Sequence, residues 1–260
     1  MKNLLFILTI VLLASCSANK AEEALPIDLN GAWEFYHNET KQWYSATVPG
    51  VIHTDLLNNK LIENPYWENN EQQLQWIENI DWKYRKTFEV SSAQLQDDNI
   101  EIVFEGLDTY ADVKLNGEQI LSSNNMFRAW KADIKALLKV GENKLEVQFH
   151  SPINYNKEKY EDYPYKLPSG CETVEARVSS FTRKAAYHFG WDWGPRFVTS
   201  GIWRPIKINT WNTARITDVY CHTKSISETE AVMNTQITVE SSNPEEKHCF
   251  FEVNGEKHEE

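Results

Sequence analysis

Between Ile100 and Phe149 apolar and polar residues alternate in short bursts, each closed by a turn signal. Ile100 to Phe104 and Tyr110 to Leu115 read as strands. Asn116-Gly117 follows, the dipeptide best suited to the positive φ angles of a two-residue hairpin, and leads into Gln119 to Leu121. Phe127 and Trp130 precede Asp133 to Leu138, which reads as a short helix. After a turn at Val140-Gly141-Glu142-Asn143, Leu145, Val147 and Phe149 fall on one face of the next strand. Many short strands with few long helical patterns restrict the chain to an antiparallel sandwich or jelly roll.

The flanks extend this all-β reading. Trp33 and Phe35 alternate with polar neighbours from Leu29 to Tyr36, Val48-Pro49-Gly50 turns the chain, and Trp82 to Phe88 alternates aromatic with basic residues. Thr54 to Leu57 reads as a short capped helix and Glu71 to Ile77 as another. From Ser151 to about Tyr187 regular patterning fades into a long connection rich in Tyr and Pro, of the kind that carries function. Gly201 to Ile208 regains strand character, with Pro205 marking an edge or bulge. A boundary falls near Asn212. Ala214 to Thr223, Val232 to Glu240 and His248 to Val253 then read as three strands, the last entering an Asn254-Gly255 turn. That is about half of an immunoglobulin-like sandwich.

The chain has 38 acidic and 26 basic residues, a net charge of −12, and no basic stripe, which argues against a nucleic-acid partner. No Cys or His cluster has zinc-ligand spacing, so neither a metal nor a cofactor is expected. Lys2, an apolar run from Leu4 to Leu13 and Leu13-Ala14-Ser15-Cys16 together resemble a bacterial lipoprotein signal. The expectation is a signal peptide over residues 1–15, lipid attached at Cys16 anchoring an exported lipoprotein in the cell envelope, periplasm or outer membrane, and a tether over residues 16–27. Cys171, Cys221 and Cys249 remain, an odd number in an exported chain. Cys221 and Cys249 could bridge, although their spacing does not demand it.

The stretch with the densest chemical signal is His188-Phe189-Gly190-Trp191-Asp192-Trp193-Gly194-Pro195-Arg196. A carboxylate between two indoles, fenced by Gly190 and Gly194-Pro195, can accept hydrogen bonds from neighbouring sugar hydroxyls while an indole covers the sugar's C–H face. A turn with core tryptophans and a capping Asp explains the same residues equally well. His53 and His188 read as structural hydrogen-bonders rather than general bases. Pairing Asp55 or Glu105 with Asp192 as catalytic carboxylates lacks a shared cleft to support it.

Several stretches resemble the β-mannosidases of glycoside hydrolase family 2. They are Leu29 to Trp33, Val48 to Leu56, Phe104 to Val113 with Leu115-Asn116-Gly117, Arg183-Lys184, His188 to Pro195 and Gly201 to Pro205. The resemblance is dense over residues 28–212. It implies a galactose-binding-like jelly-roll β-sandwich there, a truncated immunoglobulin-like β-sandwich over 213–260, and a catalytic TIM barrel absent from this chain. By resemblance, Trp191, Asp192 and Trp193 are substrate-binding residues, with Asp192 hydrogen-bonding a terminal mannose. The chain would contact β-mannoside oligosaccharides or glycans for an exo-acting, retaining enzyme whose catalytic glutamates lie on the barrel, and would be inactive alone. Two alternatives stay open: a stand-alone carbohydrate-binding lipoprotein, and the N-terminal part of another family 2 enzyme of β-galactosidase or β-glucuronidase type. Some relatives pair a Cys near position 171 with one shortly upstream, and this sequence has none there, which implies a looser loop or a free thiol.

Overall fold

A computed structural model describes residues 27–172, 174–243, 250–253 and 256–259. The expected signal peptide, Cys16, Cys249 and the Asn254-Gly255 turn lie outside the described residues. Two antiparallel sheets face each other. The larger has the order β3-β2-β4-β9-β6-β7, made of β2 (Gly31–His37), β3 (Gln42–Val48), β4 (Trp82–Val90), β6 (Tyr110–Leu115), β7 (Glu118–Asn124) and β9 (Gly141–His150). The smaller has the order β1-β10-β5-β8, made of β1 (Ile27–Asp28), β5 (Asn99–Phe104), β8 (Trp130–Asp133) and β10 (Ile206–Trp211). Alternation places Ile100, Ile102 and Phe104 of β5 and Ile206 and Ile208 of β10 in one buried core. That core also takes Val113 and Leu115 of β6 and Leu145, Val147 and Phe149 of β9. The β-sandwich read from the alternation is therefore the observed fold.

Much of the aromatic content serves this core. Trp33 and Trp82 are buried, their indole N–H groups donating to the carbonyls of Leu29 (2.7 Å) and Ile77 (3.0 Å), which removes the penalty of an unpaired polar group. The hairpin at 116–117 forms as expected, with φ of 52° at Asn116 and 94° at Gly117. Asn116 also fastens the turn outward, its amide donating to Leu137 O (2.8 Å) and Asn143 Oδ1 (2.9 Å).

Three local expectations change. Residues 133–138 are not a helix: β8 pairs along β5 from Trp130 to Asp133, and a single 3₁₀ turn, Lys135–Leu137, follows, with Asp133 Oδ1 accepting from Lys135 N at 3.0 Å. The long connection begins with an 11-residue helix, Pro152–Asp162, capped by Ser151, whose Oγ accepts from Asn154 N (3.1 Å), and opened by Pro152. It is α3, after α1 (Ile52–Asn58) and α2 (Asn70–Gln73). Pro205 precedes β10 instead of interrupting it, and β10 pairs along its whole length with β5 and at Lys207 and Ile208 also with β1.

Beyond Asn212 the chain forms two further two-stranded sheets, β11 (Ala214–Ile226) with β12 (Ala231–Ser241), and β13 (Phe250–Val253) with β14 (Glu256–Glu259). Arg215 ties β11 to the sandwich through a bidentate contact with Glu101 of β5, at 2.6 and 2.8 Å. Cys221 is an exposed free thiol.

Candidate functional site

The connection between α3 and β10 approaches the motif through a 3₁₀ segment, Ala186–Phe189, that buries Phe189 against Ile153, Val178 and Val198. Gly190 then takes φ 100°, a conformation costly for any residue with a Cβ, and this reverses the chain into the motif. Residues 191–194 close a four-residue turn, with Trp191 N donating to Gly194 O (3.2 Å) and Gly194 N to Trp191 O (3.3 Å). Asp192 and Trp193 therefore occupy its tip. Arg196 anchors the far side: Nε and Nη2 donate to Glu78, Nη1 donates to Phe189 O at 2.9 Å, and Glu172 lies 3.5 Å away. All three charged side chains are buried. Burial holds the Glu78 carboxyl above its usual range, while Arg196 pulls it back down.

The sequence left open whether these indoles were core. They are not: Trp191 is 45% exposed and Trp193 84%, with rings edge-on at 6.1 Å. Both line a cleft of about 600 Å³ together with Tyr66, Tyr187, His188, Phe197 and Thr199. Tyr66 packs edge-on to Phe197 at 5.6 Å, adding a second aromatic wall. Aromatic faces with a few polar groups are the lining expected of a site for a ligand with both C–H faces and hydroxyls. Asp192, between the two indoles in sequence, is exposed at the turn's tip but is not itself part of the cleft lining, and its Oδ1 accepts from the Cys171 thiol at 2.9 Å. That hydrogen bond pushes the thiol pKa up. The loop around Cys171 is thus held by a carboxylate rather than by a second cysteine.

Behind the cleft lies a charged cluster that the sequence did not reveal. Lys184 and Asp108 form an ion pair fully removed from solvent, and Thr199 Oγ1 donates to Asp108 Oδ2 at 2.6 Å. His188 Nδ1 sits 3.1 Å from Thr199 Oγ1. Burial, then the Lys184 charge, lower the His188 pKa to about 4, and the same two causes, with His188 added, lower His53 to about 4. Both rings are neutral at pH 7. Asp55 and Glu105 are committed elsewhere: Asp55 accepts from Thr47 N and Tyr84 OH inside the sandwich, and Glu105 pairs with Lys207. Among the described residues no group of His, Cys, Asp and Glu could hold a metal ion.

Residues 33–204 match the family model described as the glycosyl hydrolase 2 galactose-binding domain-like. The chain is similar to a β-mannosidase of Capra hircus, 36% identical over 212 residues that make up 80% of this chain and 24% of that protein. It is also similar to β-mannosidase B of Emericella nidulans, 38% identical over 197 residues, 74% of this chain and 23% of that protein. Among solved structures, a β-D-mannosidase from Dictyoglomus thermophilum superposes with a TM-score of 0.78 at 43% identity, covering 84% of this chain and 26% of that one. A β-D-glucuronidase of the same organism shares the fold at 19% identity and a TM-score of 0.54. The chain spans about a quarter of the length of the curated relatives it matches.

Proposed function

Because the chain belongs to glycoside hydrolase family 2 through its galactose-binding-like domain, we propose that it is the sugar-contacting N-terminal part of an exported, exo-acting, retaining β-mannosidase. One observation carries this reading: Trp191 and Trp193 stand open to solvent as walls of an aromatic cleft, and the exposed Asp192 lies between them in sequence at the tip of the same turn. The indoles cover the C–H face of a terminal mannose, and Asp192 accepts from its hydroxyls away from the glycosidic bond. Binding energy gained there orients and distorts the sugar at the reacting carbon, which is how a contact remote from bond cleavage raises the rate. The acid/base and nucleophile are carboxylates on another part of the enzyme, and His53, Asp55 and Glu105 have no part in the reaction.

The support is combined: the open indoles, and similarity to β-mannosidases at 36–43% identity against 19% for the glucuronidase. The test is kinetic, on the gene's complete product in the envelope fraction, where the leader and Cys16 would direct it. Asp192→Ala is expected to lower kcat/KM on an aryl β-mannoside ~30- to 150-fold, the equivalent of about 2–3 kcal/mol for a lost charged hydrogen bond, with the melting temperature unchanged. Unaltered kinetics would remove Asp192 from the subsite.

A further inference from the structure

The hydrogen-bond donors behind the cleft can be counted proton by proton. The Lys184 ammonium has three protons, directed at Asp108 Oδ2, Thr199 O (3.0 Å) and Thr199 Oγ1 (3.0 Å). The Thr199 hydroxyl has one proton, and it points to Asp108 Oδ2 at 2.6 Å, since an ionised carboxylate only accepts. Asp108 Oδ1 is occupied by the Thr109 hydroxyl at 2.6 Å. Thr199 Oγ1 therefore has only lone pairs left for His188, and the contact at 3.1 Å requires the proton on His188 Nδ1. A second proton is excluded at neutral pH by burial and by the neighbouring Lys184 charge. Nε2 must then present a bare lone pair.

His188 lines the 600 Å³ cleft and also a second cleft of about 440 Å³ that includes Met126 and Trp203. The ring is half-buried, and among the described residues its hydrogen bond is made at Nδ1, to Thr199, with none at Nε2. We propose that His188 is a specificity-determining residue whose Nε2 accepts a hydrogen bond from one hydroxyl of the bound glycan. The proposal rests on the glycan reading given above and goes further by naming the atom and its polarity. An acceptor that cannot donate favours a hydroxyl and disfavours a carboxylate, because a uronic acid would set lone pair against lone pair. The buried Lys184–Asp108 pair fixes the tautomer.

Two measurements separate this proposal from the reading beneath it. Nitrogen-15 spectra of the chain labelled at histidine, with the His188 signals assigned by their loss in His188→Phe, are expected to show the proton on Nδ1 and a bare Nε2 at pH 7. A proton on Nε2 overturns the proposal whatever the enzyme does. On the complete gene product, His188→Phe is expected to lower kcat/KM for an aryl β-mannoside about tenfold, and His188→Gln, which restores an acceptor, to recover part of the loss. With the four mono-deoxy mannosides, one analogue should already show that loss in the unaltered enzyme and lose nothing more in His188→Phe. An equal His188→Phe loss on every analogue marks a structural ring and overturns the proposal. If Asp192→Ala and His188→Phe both leave hydrolysis untouched, the glycan reading itself falls and takes this role with it. In that case the nitrogen spectrum still reports whether the proton network is as described.

Discussion

Asp192 and Cys171 show how much a single contact can decide. A thiol donating to a carboxylate at 2.9 Å is stabilised in its protonated form, so its pKa rises and its reactivity falls. Asp192→Asn removes the negative charge and should return the thiol toward its ordinary range. Alkylation of Cys171 by iodoacetamide at pH 8, followed site by site by peptide mass spectrometry, is expected to quicken several-fold in that variant. An unchanged rate would mean that the contact does not form in solution. The motif itself was legible, because two indoles around an acid between Gly190 and Gly194 can be read directly. Its partners were not. The absence of a nearby cysteine implied a looser loop or a free thiol; Cys171 is a free thiol, and what the sequence did not show is its hydrogen bond to Asp192, 21 residues onward. His188 was read as a structural hydrogen-bonder, which describes Nδ1 and misses the cleft. Lys184 and Asp108, the pair that sets its tautomer, are 76 residues apart, a distance no local pattern bridges.

At the scale of elements, the turn bearing Trp191 and Trp193 is held in place mainly by Arg196. The guanidinium lies between Glu78, at the end of the 3₁₀ segment Gln75–Asn79, and Glu172, beside Cys171, while its backbone N–H reaches Glu71 Oε1 at 3.2 Å. Arg196→Met leaves two buried carboxylates with no counter-ion. The expected loss is about 3–5 kcal/mol in urea denaturation at pH 7, where Glu78→Gln should cost clearly less because Glu172 and Arg196 remain as a pair. Equal, small losses in the two variants would show that the cluster is solvated and does not clamp the turn. The sequence announced the hairpin at 116–117 because two residues there must take positive φ, a purely local demand. It concealed α3, in which Pro152, Ile153 and Asn156 are the buried positions, too thin an apolar stripe to stand out. Trp130 to Asp133 was read as the approach to a helix because strand pairing with β5 depends on residues some 30 positions upstream.

For the whole molecule, the response to acid includes three groups with large shifts, the buried His53 and Asp55 and the half-buried His188, and they act in opposite directions. His53 and His188 have folded pKa values near 4 against an ordinary 6.5, so between those limits the unfolded chain binds more protons and stability falls as pH drops. Asp55 is raised from 3.8 to about 6, chiefly by burial, with its hydrogen bonds from Thr47 and Tyr84 only partly opposing this. The folded chain therefore binds the extra proton, and Asp55 destabilises the fold progressively as pH rises through that window. At ~1.4 kcal/mol per pKa unit, His53 and Asp55 each contribute roughly 3 kcal/mol and nearly cancel, so of these three groups the half-buried His188, weakened by solvent screening, leaves a modest loss toward pH 4. Asp55→Asn breaks this balance. The amide keeps the acceptor for Thr47 N–H, meets the Tyr84 hydroxyl with a donor, and no longer places a charge in the sandwich. Urea denaturation at pH 7.0, 5.5 and 4.5 should find the variant about 1–2 kcal/mol more stable than the parent at pH 7. Its stability should also decline more steeply over the two lower steps, because the histidines are now unopposed. A variant less stable at pH 7 with the parent's acid slope would show that Asp55 is ionised at little cost, and that the tyrosine and backbone donors outweigh its burial.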